Sequence, residues 1–409
     1  MSESFDKEFA VDVEALRHAI ELMGKHYSLD AQRVIPSQLP EQGIGSLEVL
    51  DELAPAVLGR AAYLGESTAF AHKDPPTPWL TWATTLWNAS LNQNLLHPET
   101  APVARQLEET VIRWLCPYFG MGGGHMTPGS SVANLTALWA ARECAGIKEV
   151  VASEAAHLSI KKAAHILGLG FKTVRSDTFG ALRADDLPAD LSRAALVLTS
   201  GTTSVGALDP LDLIGRAAWT HVDAAWGGPL RLTRYASKLV GIEKADSVAV
   251  SSHKWLFQPK ESALIMFRDA ERATESISFG GGYLSEPNVG VLGSHGACAI
   301  PLLAMLWSWG REGLAERIEH CVGMADTLAL YLADDPRVEL FAHPSTAIVL
   351  WRPTEGYSME RILSELPAGL ASSVMIGDKK WIRHTAANPN ADIKLIMREL
   401  SRVLSLAKE

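Results

Sequence analysis

Two fragments carry residue types suited to chemistry: HVDAAWGGPL, with an acid at Asp223, and SSHKWLFQPK, with an imidazole and an amine at His253 and Lys254. Each closes an apolar run of strand character, THVDAAW and SVAVSSHKW. In an open α/β sheet, ligands bind outside the carboxyl ends of the strands. Two such ends therefore aim a carboxylate and an amine into one cleft. Taken singly, Asp223 reads as a turn former and Lys254 as a solvated charge. Together they suit a Schiff base between the lysine and the aldehyde of pyridoxal phosphate, with the acid holding the pyridine nitrogen protonated so that the ring becomes an electron sink.

A phosphate requires a cradle of backbone N–H groups at a helix start. MTPGSSVANLTALWAAR offers a Gly-Ser-Ser turn entering a helical pattern, which nominates Ser130 and Ser131. The plainer reading of Ser131, a helix cap, needs the same geometry. FGMGGGH lacks the GxGxxG spacing and does not join a strand to a helix, so it is rejected as a dinucleotide fingerprint. His157, after the run KEVVAS, is placed to cover one face of a cofactor ring, and otherwise reads as a satisfied surface or core residue. Ala225 would offer a methyl to the other face. Thr203, in the polar turn of LVLTSGTTSVGALDP, could reach the cofactor rim or cap a turn.

These residues need a sheet to position them. From Lys148 to Asp269 the runs KEVVAS, FKTVRSD, AALVLTS, THVDAAW, SVAVSS and SALIMF recur, several separated by helical patterns. This predicts a mainly parallel α/β sheet. Helical spacing in DVEALRHAIELMG and EVLDELAPAVLG predicts an N-terminal helical segment over 1–75, ending at the Pro-rich connector AHKDPPTPWL. A large domain is expected over 76–310. A long helix, the strand-like VELFAHPSTAIVLWRP and SVMIGDKKWIRHT, and a final helix predict a smaller α+β domain over 311–409.

Bulk properties narrow the classes. A chain of 409 residues can bury a large core. Its net charge of −10, without a basic stripe, excludes a nucleic-acid surface. The acidic N-terminus has no apolar leader core and no run spans a bilayer, so the expected setting is the cytoplasm, without a membrane partner. Cys116, Cys144, Cys298 and Cys321 fit no metal spacing; free thiols and no metal are expected.

Five motifs, MTPGSSVANLTAL, SEAAHLSIKKAA, LTSGTTSVGALDP, HVDAAWGGPL and ADSVAVSSHKW, stand in the order and approximate spacing of the group II pyridoxal phosphate-dependent amino-acid decarboxylases. The chain resembles that family, which includes glutamate, aromatic amino-acid and diaminobutyrate decarboxylases, most clearly over residues 70 to 320. The resemblance implies the aspartate-aminotransferase-like fold (fold type I) and a homodimer with active sites at the subunit interface. It implies an L-amino acid converted through an external aldimine to its amine and carbon dioxide. It makes Lys254 the Schiff-base lysine and Asp223 the pyridinium partner, stacks His157 on the ring and puts Ala225 beneath it. Ser130, Ser131, Ser251 and His253 fall where the family holds phosphate, and Thr203 matches a threonine near the ring.

Tyr283, in FGGGYLSEP, matches a loop tyrosine that protonates the carbanion, and Arg383, in WIRHTAANP, matches an arginine that meets a substrate carboxylate in some relatives. The chain departs from the pattern at Ser251, often Asn or Asp in relatives, in a shorter catalytic loop, and where AHKD and APVARQLEE replace the family's His-Pro and Ser-Pro-x-x-Thr-x-x-Glu features. DAAWGG, rather than DAAYAG, resembles the glutamate and sulfinate enzymes more than the aromatic ones, whereas Trp79, Trp82 and Trp87 would equally suit an apolar substrate pocket. An aminotransferase, another carbon–carbon lyase or a non-catalytic binding protein could use the same residue set.

Overall fold

A computed structural model of the chain describes residues 9–27, 35–282, 284 and 287–408. Two compact units divide the chain, 1–63 and 64–409. In the first, α1 (Val13–Met23) and α2 (Ser46–Val57) carry the amphipathic patterns of the sequence. Asp12 caps α1 by accepting from the Ala15 N–H, and His18 and Asp51 lie 2.9 Å apart.

The second unit begins its regular structure with α3 (Trp79–Leu91), α4 (Ala104–Phe119), β1 (Gly123–Thr127) and α5 (Ser130–Ala145). Then follow β2 (Glu149–Ser153), α6 (Leu158–Ile166), β3 (Gly170–Val174), β4 (Ala194–Thr199), β5 (Trp219–Asp223), β6 (Ser247–Ser251) and β7 (Ala263–Phe267). These strands form one seven-stranded sheet in the order β1-β7-β6-β5-β4-β2-β3. Pairing is parallel from β3 to β6 and antiparallel on both sides of β7, so the sheet is mainly parallel.

Its strands read as unbroken apolar runs because both faces are covered. Val151, Leu196, Leu198, Val222, Val248 and Val250 point into one core, whereas Val150, Ala152, Ala195, Val197 and Ala249 point into the other. That second core is closed by α5 and α6, through Ala133, Ala137, Leu138, Ile160 and Ala163.

Beyond the sheet lie α7 (Ala270–Ser276), the short pair β8 (Ser278–Phe279) and β9 (Asn288–Val289), and α8 (Ala299–Ala333). The last is broken at Gly310, whose φ of 64° and ψ of −177° no helix accommodates. A four-stranded antiparallel sheet follows, built from β10 (Val338–Leu340), β11 (Ile348–Pro353), β12 (Ser372–Ile376) and β13 (Lys379–Thr385) in the order β10-β11-β13-β12. Its helices are α9 (Met359–Glu365) and α10 (Ile393–Leu406). The architecture is the expected one: a large, mainly parallel α/β layer joined to a smaller α+β part.

Candidate active site

Because β1, β2, β4, β5 and β6 run in the same direction, their carboxyl ends share one edge of the sheet. A cavity of about 300 Å³ opens there, and its walls hold Ser130, Ser131, His157, Thr203, Asp223, Ala225, Ser251, His253 and Lys254. Nine residues drawn from five separated motifs thus meet in one space.

At one end β1 turns into α5 through Gly129, whose φ of 99° is in the left-handed region that favours glycine. No side chain caps this helix, so Ser131 is not the cap its position allowed. The N–H groups of Ser130 and Ser131 have no acceptor among the described residues, as a helix start dictates. Ser130 Oγ and Ser251 Oγ are hydrogen-bonded across the gap between α5 and β6. His253 Nδ1 donates to the Ser262 carbonyl at 3.1 Å, and burial, then the charges of Lys260 and Lys254, push its pKa down to about 4. These hydroxyls, N–H groups and the imidazole edge make an anion-binding end.

Asp223, only 3% exposed, is held at both oxygens. Oδ2 accepts from Asn134 Nδ2 at 3.0 Å, and Oδ1 from the Ala225 N–H at 3.1 Å. Asn134 is in turn fixed by His221 Nε2, 2.9 Å from its Oδ1, and its Nδ2 also reaches Ser159 Oγ at 3.0 Å. Ser247 bonds His221 Nδ1 at 2.9 Å. His157 caps α6, its Nδ1 accepting from the Ser159 N–H at 3.2 Å and lying 2.8 Å from Ser159 Oγ. The satisfied-residue reading of His157 and the cavity-wall reading therefore both hold. Burial lowers its pKa, with Asp223 opposing and Lys254 and Lys73 adding to the shift.

Lys254 is carried on the turn after β6, in which Phe257 adopts a left-handed φ of 54°. Such a conformation is uncommon outside glycine and clusters at functional turns. Its ammonium makes no hydrogen bond among the described residues, and burial lowers its pKa against the pull of Asp223. The Lys161 and Lys162 side chains are exposed, and Lys260 pairs with Asp74.

Arg383 lies on β13 beside the cavity rather than in its wall. Its Nε donates to Ser372 Oγ and its Nη1 to the Thr203 carbonyl, each at 3.1 Å. Tyr283 lies outside the described residues. Trp79, Trp82 and Trp87 are not in the wall of this cavity. They are 71, 50 and 61% exposed, because the outward face of α3 carries them. The aromatic wall is instead Trp226, stacked on Trp255 with ring centroids 4.0 Å apart.

Sequence reasoning also missed Asn134, His221 and Lys73. Lys73 lines the cavity from the Pro-rich connector, donating to the Thr202 carbonyl at 3.0 Å. The only signal was the departure AHKD.

The site suits pyridoxal phosphate. It offers an unbonded amine, a fixed buried carboxylate, an anion-binding end and a wall methyl at Ala225. Thr199 Oγ1, buried and without a partner among the described residues, also lines the cavity. Gly201 lets Trp226 close in, since a Cβ there would meet the indole Cδ1 at 2.7 Å.

Comparison with known proteins agrees with this geometry. The sequence profile described as the pyridoxal-dependent decarboxylase conserved domain matches residues 75–353. L-2,4-diaminobutyrate decarboxylase of Rhizobium meliloti (strain 1021) is 30% identical, over 91% of this chain and 84% of its own. Aspartate 1-decarboxylase of Aliivibrio fischeri is 26% identical over 77% of this chain and 69% of its own. The structure of Oryza sativa TDC with PLP and tryptamine superposes with a TM-score of 0.83 at 20% identity, covering 98% of this chain and all (100%) of that one.

Proposed function

We propose a division of labour for this chain, which belongs to the pyridoxal-dependent decarboxylase family: Lys254 carries the cofactor and Asp223 faces its ring nitrogen. The chain is a pyridoxal phosphate-dependent carboxy-lyase that removes the carboxyl group of an amino acid as carbon dioxide and leaves the amine. When bound, the cofactor supplies a sink for the electron pair that remains after carbon dioxide departs. Asp223 keeps the ring nitrogen protonated through a charge-assisted hydrogen bond. Ser130, Ser131, Ser251 and His253, with the free N–H groups of α5, hold the phosphate. His157 and Ala225 would cover the ring and Thr203 would border it, since all three line the cavity. Arg383 meets a substrate carboxylate, and Tyr283 delivers the proton to Cα, with His157 and Lys254 as the alternative donors.

The observation that carries this reading is the convergence of nine residues from five motifs on one cavity. Lys73 is the second amine in that wall, but backbone carbonyls hold its ammonium, whereas Lys254 is unbonded. Borohydride reduction of the loaded protein followed by peptide mapping should fix the cofactor on the Lys254 peptide. Label on the Lys73 peptide, or on any other lysine, would overturn the assignment.

A homodimer is also part of this reading. In the single chain Trp79, Trp82, Leu86, Trp87 and Leu91 of α3 and Trp307 of α8 are exposed, an apolar surface of the kind that marks an interface. Residues 76–310 and 311–409 are assigned to cofactor binding and to the smaller domain, with 1–75 as the helical lead. Among the described residues no helix is long and apolar enough to cross a membrane. The four cysteines are free, which favours a reducing cytoplasm.

A further inference from the structure

The cavity contains a cation that neither cofactor chemistry nor the resemblance uses. Lys73 Nζ donates to the carbonyls of Thr202 and Gly201 at 3.0 and 3.4 Å and stands 5.0 Å from the centroid of the Trp226 ring. Its segment is tied down on both sides. The Thr385 N–H bonds the Phe70 carbonyl, Ser372 Oγ donates to the Ala71 carbonyl, and Asp74 pairs with Lys260. The ammonium is therefore placed by the fold.

The protein itself does not pair every cation of this space. Asp223 is the one carboxylate in the described wall and would face the ring nitrogen, and Lys254 would carry the cofactor. The phosphate belongs to the end where Ser130, Ser251 and His253 cluster, while Lys73 bonds the turn after β4 and stands over Trp226. Lys73 in the wall and Arg383 beside it remain, and among the described residues neither has a carboxylate within ion-pair distance. Burial lowers the pKa of both, and Lys254 and Arg383 lower that of Lys73 further. A desolvated cation without an anion is costly. The cofactor phosphate supplies charge at its own end of the cavity, and a substrate anion is the direct partner left for Lys73 and Arg383.

We propose that Lys73 and Arg383 together select amino acids bearing a second acidic group, a side-chain carboxylate or sulfinate, against apolar, aromatic or amino side chains. The inference rests on the decarboxylase reading and names its substrate class. A neutral amino acid brings one anion to two cations, and a side-chain ammonium adds a third cation. A dianionic amino acid pairs both. Relatives do not decide the matter, because one is named for diaminobutyrate and another for aspartate. Lys73 itself stands in AHKD, where the chain departs from the family's His-Pro feature.

The test uses the full chain loaded with pyridoxal phosphate. Binding of succinate and glutarate, of butyrate, and of 1,3-diaminopropane is read from the cofactor absorption band. Carbon dioxide release is then measured from L-aspartate, L-glutamate, L-cysteine sulfinate, L-phenylalanine and L-2,4-diaminobutyrate. Dicarboxylates should bind at least about tenfold more tightly than butyrate, since truncating a desolvated charge pair commonly costs that much or more. Lys73→Met should erase the preference, leave the cofactor band in place and lower kcat/KM for the acidic substrates by about 100-fold, mainly through KM. Lys73→Arg should keep the preference.

Equal binding of mono- and dicarboxylates, or a preference that survives Lys73→Met, overturns the assignment. Faster turnover of phenylalanine or diaminobutyrate overturns the substrate class while upholding the decarboxylase. Carbon dioxide from none of the five, with cofactor bound, sinks the decarboxylase reading, and the binding ratio then still decides for or against Lys73.

Discussion

At Asp223 the carboxylate is held by Asn134 and the Ala225 N–H, so its position does not depend on the cofactor. Asp223→Asn keeps the shape and removes the charge. Turnover should fall by several powers of ten with the cofactor retained, because losing about 3 to 5 kcal/mol of electrostatic stabilisation corresponds to that range; near-normal turnover would defeat the electron-sink role. Asn134 acts through Asp223 as a positioning residue. Asn134→Leu leaves Asp223 Oδ2 and the His221 Nε2 without their partners. We expect kcat to fall by about tenfold or more with KM little changed, together with a shifted pH titration of the cofactor band. An unaltered titration would make Asn134 merely structural. For Tyr283→Phe the expected result is substrate binding with little amine release and a matching gain of carbonyl product; unchanged amine yield would pass the proton to His157. Asp223, His157 and Lys254 were legible because each ends an apolar run. Asn134 was not, because nothing local marks one polar residue within a helix as bonded to an acid 89 positions away.

Among the elements, the strand-to-helix turn at Gly129 sets the anion-binding end. Gly129→Ala puts a side chain at φ 99°, strain of order 1 to 3 kcal/mol, so the dissociation constant of pyridoxal phosphate should rise by roughly tenfold in equilibrium dialysis. Unchanged affinity would show that the α5 start does not hold the phosphate. β2 through β7 were readable as apolar runs, since a strand covered on both faces has no polar alternation to blur it. β1 was not read as a strand. Its sequence, GGHMT, opens with two glycines and a histidine, and only antiparallel pairing with β7 makes it one. α8 runs through residues 310 and 311, where the sequence suggested a boundary, and is kinked at Gly310.

For the whole molecule, His384 shows how the cores constrain stability. Its Nδ1 donates to the Leu370 carbonyl at 3.0 Å, and its Nε2 accepts from Trp351 Nε1 at 2.9 Å, an arrangement only a neutral ring permits. Burial pushes its pKa down to about 4 from the usual 6.5. Between those values the unfolded chain binds the proton and the native chain does not. This contribution to stability is complete above about pH 6.5 and is lost as the pH falls toward 4. His384→Gln should therefore give a melting temperature that changes less between pH 6.5 and 4 than that of the parent protein, measured by calorimetry. Parallel pH profiles would show that His384 does not titrate with unfolding. Light scattering tests the homodimer: Trp82→Glu with Trp87→Glu on α3 should lower the measured mass to that of one chain, and an unchanged dimer mass would place the interface elsewhere.

The sequence by itself determined a mainly parallel sheet, six of its seven strands and the chemistry their ends carry. Strand runs and terminal residue types are local properties, and the rule that ligands gather at carboxyl ends converts them into a site. Tertiary structure alone decided which residues complete that site. Lys73 reaches the carbonyl of Thr202 across 129 positions, from a connector that local composition marks only as Pro-rich. The tryptophans of α3 look like pocket walls in sequence, yet face outward because the opposite side of the helix packs on α8. Long-range packing, which no window of neighbouring residues encodes, chose the cation at the cavity and the aromatic face left exposed.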